Sequence, residues 1–261
     1  MCPPAYFEVS YSINAWMDPD RPVDRDRAVA QWQRLVDAFL ELSHKVDLVD
    51  PVPGLPDMVF AANAATVVAG RVLAARFRNQ ERAPEVPAYL EWFRTHGYPA
   101  ARPASMINEG EGDHLVTRDR ILAGRGFRSA PGAHVEVAQF FDRPVVALDL
   151  VDERFYHLDT AMAVLDEQAG EIMYHPEAFS PASRAVLAEL YPDAIRASAA
   201  DAAVLGLNAV SDGRNVVLPA TATGLVAQLR ERGFQPVGLD LSELLKAGGG
   251  VKCCTLELHD A

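Results

Sequence analysis

Two adjacent cysteines stand near the carboxyl end of the chain, in the segment AGGGVKCCTLEL at residues 247–258. The sequence holds only three cysteines, and an adjacent pair rarely closes a disulfide because that bridge needs a specific geometry. A strand with period 2 would place Cys254 on an apolar face and Cys253 on the opposite, more polar face. Cysteine is often a small core residue, whereas three preceding glycines are typical of a backbone that bends or approaches a ligand. The pattern leaves both interpretations open: two packing residues, or a nucleophile at Cys253 with glycine N–H groups beside it.

A cysteine nucleophile requires a partner for proton transfer, and the sequence offers seven histidines. His157 and Asp159 lie two positions apart in RFYHLDTAM, so an extended chain would project both side chains from one face. The pair suits acid–base catalysis and ligand binding, although so short a pattern also fits an ordinary surface histidine. The ligand spacings of zinc sites do not occur in the sequence, and we predict no metal and no cofactor.

Three carboxylates crowd into the segment MINEGEGDHLV, namely Glu109, Glu111 and Asp113. Like charges this close repel one another unless a cation or separate partners neutralise them. The segment is therefore either a solvated acidic turn or a turn that binds a cation. The twelve-residue EF-hand pattern is not present.

The charge balance restricts the class of partner. The formal net charge is −12, and the acidic residues are scattered along the chain, which argues against nucleic acid or an anionic membrane. A small cationic or zwitterionic substrate fits better. No run approaches the roughly 18 apolar residues of a membrane span, and the amino-terminal residues lack the layout of a signal peptide. We expect a cytoplasmic protein with reduced cysteines.

The elements that must position these residues alternate between helical and extended patterns. Residues 24–42 carry apolar side chains at helical spacing behind an acidic first turn and form the clearest helix. No linker or low-complexity stretch interrupts the chain, which favours a single α/β domain over residues 1–261. Further helices are predicted at 88–96, 181–191 and 222–233, and strands at 46–52, 65–77, 120–124, 144–151, 215–220, from 236 onward and at 251–258.

Taken together, ordered motifs along almost the whole chain resemble the guanidine-modifying superfamily of arginine deiminases, dimethylarginine dimethylaminohydrolases and amidinotransferases. The likeness is closest to the arginine dihydrolase branch. The motifs include MCPP (1–4), YSINAWM (11–17), GLPDMVFAANA (54–64), RFRNQER (76–82), EGEGD (109–113), GRGFRS (124–129), DERFYHLDT (152–160) and LLKAGGGVKCCTLEL (244–258).

The resemblance implies a five-bladed α/β propeller (the pentein fold) with pseudo-fivefold symmetry and an active site in its central channel. It also implies a covalent thiouronium intermediate. The family's functional positions fall on the nucleophile Cys253, the catalytic histidine His157, the guanidinium-binding Asp159, the second carboxylate Glu109 with Asp113 four residues on, and Glu111 as the alternative carboxylate.

Asn63 bears on the choice of substrate, since deiminases have an aspartate at the matching place. Its amide can satisfy a neutral ureido group, and together with Asn14 it favours L-arginine going on to L-ornithine, two ammonia and carbon dioxide. Arg128, with Arg78 as helper, is a candidate clamp for the substrate α-carboxylate; a surface arginine is the ordinary alternative for each.

Three other functions remain open. The first is a dimethylarginine dimethylaminohydrolase that releases citrulline and dimethylamine, the second an amidinotransferase with an amine as acceptor, and the third a non-catalytic arginine-binding protein. Beyond a small-molecule substrate, the only partner we expect is a second copy of the chain in a homo-oligomer. A further ornithine-processing domain is not expected. Trp16 and Phe60 are candidates for the pocket wall or for the core.

Overall fold

The computed structural model describes residues 1–259 and shows four three-stranded sheets within them. Each sheet begins with an antiparallel pair of strands and adds a third strand parallel to the middle one. The strands are β1 Ala65–Val68, β2 Arg71–Ala74, β3 Arg102–Pro103, β4 His114–Val116, β5 Ile121–Arg125, β6 Val145–Asp149, β7 Met162–Asp166, β8 Glu171–Tyr174, β9 Ile195–Arg196, β10 Val210–Ser211, β11 Asn215–Pro219 and β12 Gln235–Leu239.

A helix joins the second and third strands of every sheet, as a parallel neighbour requires, because a tight hairpin cannot return the chain in the same direction. Among the described residues no helix is long and apolar enough to cross a bilayer. The helices are α1 Arg25–Glu41, α2 Val86–Thr95, α3 Pro131–Phe141, α4 Leu158–Ala161, α5 Pro181–Leu190, α6 Ala199–Ala202, α7 Thr223–Glu231 and α8 Ser242–Leu245.

The two ends of the chain pack together beside the four sheets. One apolar cluster unites Phe7, Trp32 and Leu35 from the amino-terminal part with Leu244 and Cys254 from the carboxyl-terminal part. The resemblance predicts a fifth unit, and these packed chain ends occupy its place. Among the described residues, the chain ends form no hydrogen-bonded ladder of strands. The predicted α/β class is confirmed, and four ββαβ units have the construction of propeller blades.

Most predicted elements are confirmed with small changes of boundary. Asp24 caps α1, its side chain accepting a hydrogen bond from the Arg27 N–H. The helices predicted at 88–96, 181–191 and 222–233 are α2, α5 and α7. The single run at 65–77 is instead the hairpin β1–β2, which turns at Ala69 and Gly70, both with positive φ (49° and 70°).

Two predicted strands are wrong. Residues 46–52 belong to no ladder, and residues 251–254 form a turn. In that turn the N–H of Cys254 donates to the Gly250 carbonyl at 3.2 Å and the N–H of Thr255 donates to the Lys252 carbonyl at 2.8 Å. Apolar composition suited a strand, but these backbone groups are satisfied within the segment rather than by a neighbouring strand.

Candidate active site

The candidate catalytic residues lie in short turns that lead into the first strand of successive sheets. Asn63 precedes β1, Glu109 precedes β4, and His157 and Asp159 precede β7. Cys253 lies in the carboxyl-terminal turn. The repeated topology therefore delivers residues that are far apart in sequence to one buried centre.

The Cys253 thiol is buried and points at a carboxylate. Its Sγ donates to Oδ2 of Asp159 at 3.2 Å. Its backbone N–H donates to the side-chain oxygen of Asn208 at 3.0 Å, so this N–H is not available as a donor to substrate. Both cysteines belong to the apolar cluster that joins the chain ends, but of the two it is Cys253 that lines the cavity. The two cysteines differ as the sequence suggested, although a turn and not an alternating strand separates them.

The glycines before the cysteines are required by close contacts. Gly248 has a φ of +81°, a conformation that side chains other than glycine rarely adopt. A Cβ on Gly249 would overlap the ring of Phe60, which lines the cavity beside Cys253. The absence of these side chains lets the carboxyl-terminal turn lie directly against the cavity wall.

His157 is fixed by Glu109. The ring Nε2 lies 2.8 Å from Oε2 of Glu109, and the same oxygen accepts from the Arg128 guanidinium at 2.7 Å. All three side chains are buried. Because an ionised carboxylate only accepts hydrogen bonds, Nε2 carries a hydrogen, and Nδ1 is the ring atom left to exchange protons.

Asp159 does not share a face with His157 in an extended chain, as the sequence had suggested. The chain turns into α4 at Leu158, so Asp159 lies in the first turn of that helix. The His157 side chain consequently reaches Glu109, and the Asp159 side chain reaches Cys253.

Four buried polar atoms of the centre have no hydrogen-bond partner within residues 1–259. They are Nδ1 of His157, Oδ1 of Asp159, Nδ2 of Asn63 and Oδ1 of the cavity-lining Asp57. Buried polar groups are nearly always paired in folded proteins. Unpaired groups on the segments before β1 and β7 indicate a site that a polar ligand completes.

The surroundings of Glu109 and Asp159 shift the pKa values of the two carboxyl groups in opposite directions. Burial opposes ionisation of Glu109, but the Arg128 guanidinium and the His157 ring hold its pKa well below the usual range. Burial raises the pKa of Asp159 to about 7. Burial, followed by the charge of Asp159, holds the pKa of the Cys253 thiol well above its ordinary value. Without a bound cation the sulfur is thus protonated at neutral pH.

The cavity at this centre is small, about 10 Å³. That volume barely admits one water molecule, so a substrate must displace part of the wall. The wall includes Asn14, whose side chain accepts from the N–H of Trp16 at 2.8 Å and donates to the Ala247 carbonyl at 3.1 Å. Trp16 itself does not line the cavity. The lining residues are Ile13, Asn14, Met17, Asp57, Phe60, Asn63, Arg82, Arg128, Tyr156, Ala247 and Cys253.

Comparison with known proteins identifies relatives that match nearly the whole chain, although no family model matches the sequence. The sequence is 55% identical over 261 residues to the N(G),N(G)-dimethylarginine dimethylaminohydrolase of Mycobacterium tuberculosis, covering 99% of this chain and 85% of the relative. The chain belongs to the dimethylarginine dimethylaminohydrolase family. It is also 40% identical to the bifunctional arginine dihydrolase/ornithine cyclodeaminase AgrE of Nostoc, of which it spans only 37%.

Solved structures agree with this family membership. The amino-terminal domain of ArgZ, a cyanobacterial arginine dihydrolase solved as a cysteine-to-serine variant bound to substrate, matches with a TM-score of 0.94 and 36% identity. That match covers 100% of this chain and 97% of the other. A dimethylarginine dimethylaminohydrolase adduct with 4-chloro-2-hydroxymethylpyridine has a TM-score of 0.76 at 16% identity over 90% of this chain and 92% of the other, and it shows the shared fold.

The three carboxylates of the EGEGD segment do not form a solvated turn. All are buried, and each has separate partners. Glu109 contacts His157 and Arg128, and Glu111 accepts from the Lys252 ammonium at 2.7 Å. Asp113 accepts from the hydroxyl of Ser129 at 2.7 Å and from the backbone N–H of Leu158 at 3.2 Å. Of the two candidate catalytic glutamates, Glu109 is therefore the one in contact with His157.

The structure does not bring the side chain of Arg78 to the cavity. That side chain is exposed, and only its backbone N–H reaches the site, donating to Glu109 at 3.2 Å. Arg82, four residues on in the same motif, lines the cavity and donates to Oδ1 of Asn63 at 2.6 Å. Arg128 also lines the cavity, with its guanidinium bonded to Glu109 and to the Ile13 carbonyl.

Sequence reasoning missed Arg82 and Asn208. Arg82 lay in a motif that resembles the family, but nothing local distinguished it from Arg78. Asn208 had no local signal, although it precedes the first strand of its sheet just as Asn63 does. A search for polar residues at equivalent places in the four repeats would have found it.

Proposed function

We propose that this protein is a cysteine-dependent hydrolase that attacks the guanidino carbon of N-methylated L-arginine and releases L-citrulline and dimethylamine. One observation supports the reaction class. The Cys253 thiol, hydrogen-bonded to Asp159, and the His157 ring, hydrogen-bonded to Glu109, lie in the same buried centre. The 55% identity to a dimethylarginine dimethylaminohydrolase supports the choice of a methylated substrate.

The charges of the centre suit a guanidinium. Asp159 offers an unpaired carboxylate oxygen beside the nucleophile, and Glu109 is ionised. A planar cation can donate to such oxygens in charge-assisted hydrogen bonds, which offset the loss of its hydration. The bound cation also lowers the thiol pKa of Cys253, so that substrate binding promotes formation of the thiolate.

The reaction then proceeds through a covalent intermediate. The Cys253 thiolate attacks the guanidino carbon, and the resulting tetrahedral adduct expels dimethylamine as the protonated Nδ1 of His157 gives up its proton. A thiouronium remains on the sulfur. Water then attacks that carbon while Nδ1 of His157 takes up a proton, and the adduct collapses to release citrulline and restore the thiolate.

A second candidate, arginine dihydrolase, is favoured by the orientation of Asn63. The guanidinium of Arg82 only donates, so the Asn63 oxygen must face Arg82, and the NH₂ group, which lies beside Gly112 without a partner, is the end left for a ligand. The sequence had suggested that either end of this amide was available. A donor matches the carbonyl oxygen of a ureido group better than it matches a guanidinium. Such a site would retain citrulline for a second hydrolysis to ornithine.

The two candidates differ in their products. The purified protein is incubated, with a metal chelator, with asymmetric dimethyl-L-arginine and separately with L-arginine. We expect citrulline and dimethylamine in equal amounts from the methylated substrate. Ornithine formed from arginine without free citrulline would establish the dihydrolase instead, and no turnover of either compound would overturn the proposal.

Two cysteine variants control this assay. Cys253→Ser removes the nucleophile and is expected to abolish product formation, whereas Cys254→Ser changes a cysteine that does not line the cavity and is expected to retain it. Asn63→Asp tests the second candidate, because an enzyme that loses the amide donor should release citrulline from arginine.

A further inference from the structure

We propose that Asn208 is the positioning residue of the nucleophile: its amide fixes the backbone of Cys253 and donates a hydrogen bond to the sulfur. The inference rests on the proposed function in one respect, the assignment of Cys253 as the nucleophile. It adds a residue from the segment before β10 to a centre otherwise built from the other units and the carboxyl-terminal turn.

Both ends of the Asn208 amide are used on the same cysteine. Oδ1 accepts from the Cys253 N–H at 3.0 Å, and Nδ2 lies 3.1 Å from the Cys253 Sγ. Nδ2 also donates to the backbone carbonyl of Asp159 at 3.2 Å. Because a backbone N–H can only donate and a carbonyl can only accept, these contacts determine which end of the amide is oxygen.

The fold holds Asn208 firmly in this position. Its side chain is fully buried, and its N–H donates to the Leu205 carbonyl at 2.9 Å. On the other side, a Cβ on Gly250 would lie 3.0 Å from the Asn208 oxygen, closer than most side-chain carbons approach a neighbour. The third glycine before the cysteines thereby leaves room for this amide.

The amide has two effects on the chemistry. Pinning the Cys253 backbone sets the direction of the Cα–Cβ bond and leaves Sγ between Asn208 and Asp159. The Nδ2–H then faces sulfur, and its hydrogen bond strengthens when the thiol becomes an anion. A neutral amide gives this stabilisation without the charge repulsion that a carboxylate would cause. Asn208 thus favours the thiolate that Asp159 and burial disfavour.

The variants Asn208→Asp and Asn208→Ser test this role through the reactivity of the sulfur. Alkylation of Cys253 by iodoacetamide is followed by peptide mass mapping over a range of pH. For Asn208→Asp we expect the plot of the logarithm of the alkylation rate against pH to move by about one pH unit or more towards alkaline pH. In steady-state kinetics of the same variant we expect kcat to fall about 10²-fold and KM to change less than about threefold. Asn208→Ser, which keeps a small hydroxyl, is expected to lie between this variant and the wild type.

Asn215→Asp is the matched control, since Asn215 lies in the same ββαβ unit, at the start of β11, and its side chain donates a hydrogen bond to Asp212 rather than to the cysteine. It is expected to leave the alkylation profile and both kinetic constants unchanged. An unshifted alkylation profile in Asn208→Asp would overturn the proposal, as would a rise in KM with unchanged kcat. Alkylation needs no substrate, so a wrong assignment of substrate would not affect this outcome.

A second measurement avoids any change at Asn208, in case those variants do not fold. The protein is labelled with ¹⁵N-asparagine, and the side-chain amide signals are compared with those of Cys253→Ala and Cys254→Ala. One amide pair is expected to shift in Cys253→Ala and to stay in place in Cys254→Ala. If no pair responds to loss of the Cys253 sulfur, the contact does not exist in solution and the proposal is wrong.

Discussion

At the scale of single residues, His157 is held at one ring nitrogen and open at the other. Nε2 contacts Glu109, whereas Nδ1 has no partner within the described chain. A side chain that only packed or paired would have little reason to leave a buried nitrogen unsatisfied. The unpaired nitrogen, which lies beside Gly112, is the atom that we expect to exchange protons with the departing amine and the attacking water.

We therefore expect His157→Gln to lower kcat by about 10² to 10⁴ while the protein keeps its fold. Steady-state kinetics and circular dichroism measure the two effects. His96→Gln alters an exposed histidine that stacks on Trp92 and serves as the control. A His157→Gln variant within tenfold of the wild type would exclude this histidine from proton transfer.

Asp159 should make binding of a cationic substrate depend on pH. Its pKa is about 7, so the ionised carboxylate that attracts a guanidinium becomes populated as pH rises through 7. We expect the affinity of the inactive Cys253→Ser variant for L-arginine, measured by calorimetry, to rise up to tenfold per pH unit from about 5.5 to 7 and then to level off. Neutral citrulline should bind with little pH dependence. A flat profile for arginine would contradict the assigned role.

How far the sequence could identify the site depended on whether a residue had informative neighbours. Cys253 followed three glycines, and His157 stood beside Asp159, so local pattern sufficed to nominate them. Asn208 stands between ordinary apolar residues, and its role arises only when the segment before β10 meets the carboxyl-terminal turn. The orientation of the Asn63 amide likewise depends on Arg82, nineteen residues away.

At the scale of elements, the carboxyl-terminal turn is anchored by a buried ion pair next to the nucleophile. The ammonium of Lys252 lies 2.7 Å from Glu111 and also contacts Glu257, with nearly all of its side chain buried. Breaking a buried pair leaves one charge without compensation, which costs much more than loss of a surface pair. The pair therefore ties the turn that carries Cys253 to the turn that carries Glu109.

We expect Lys252→Met to lower the free energy of unfolding by about 3 kcal/mol or more, measured by urea denaturation at pH 8. The double variant Lys252→Met/Glu111→Gln should recover part of this loss, because the more deeply buried of the two carboxylates that lost Lys252 is then neutral. Lys45→Met, which removes an exposed ion pair with Asp47, should cost less than about 1 kcal/mol. Equal losses for Lys252→Met and Lys45→Met would show that the buried pair does not anchor the turn.

The helices and central strands followed from local sequence, because amphipathic spacing, the Asp24 cap and turn residues all act within a few positions. The strands predicted at 46–52 and 251–258 failed for a reason that lies outside the segment. A segment forms a strand only where a second backbone segment lies beside it and pairs with it by hydrogen bonds. The pattern of apolar residues within one segment does not show whether such a partner is present. The fifth unit is the one whose parts come from opposite ends of the chain.

At the scale of the whole molecule, buried carboxyls link stability to pH. Burial raises the pKa of Asp159 and of Glu85 to about 7, and that of Asp113 to about 6. The folded protein thus binds more protons than the unfolded chain between about pH 4 and 7, so these groups reduce stability as pH rises through that window. Glu109, with its lowered pKa, acts in the opposite direction and favours folding above about pH 4.5.

Asp159→Asn should for this reason be more stable than the wild type at pH 8 and about equal to it at about pH 4 or below. The expected gain at pH 8 is on the order of 1 to 3 kcal/mol, with activity lost. Asp149→Asn provides a control of opposite sign, because Arg125 lowers the pKa of that surface carboxylate. Thermal unfolding across pH measures both. A loss of stability in Asp159→Asn at pH 8 would show that its charge is well compensated in the fold.

The most direct test of the central claim is intact-protein and peptide mass spectrometry after rapid acid quenching of the reaction with asymmetric dimethyl-L-arginine or L-arginine. We expect a transient adduct, equal in mass to the substrate without its leaving amine, on the sulfur of Cys253. It should form in Cys254→Ala and be absent in Cys253→Ala. Product formation that continues in Cys253→Ser, or an adduct on any other residue, would contradict a nucleophilic role for Cys253.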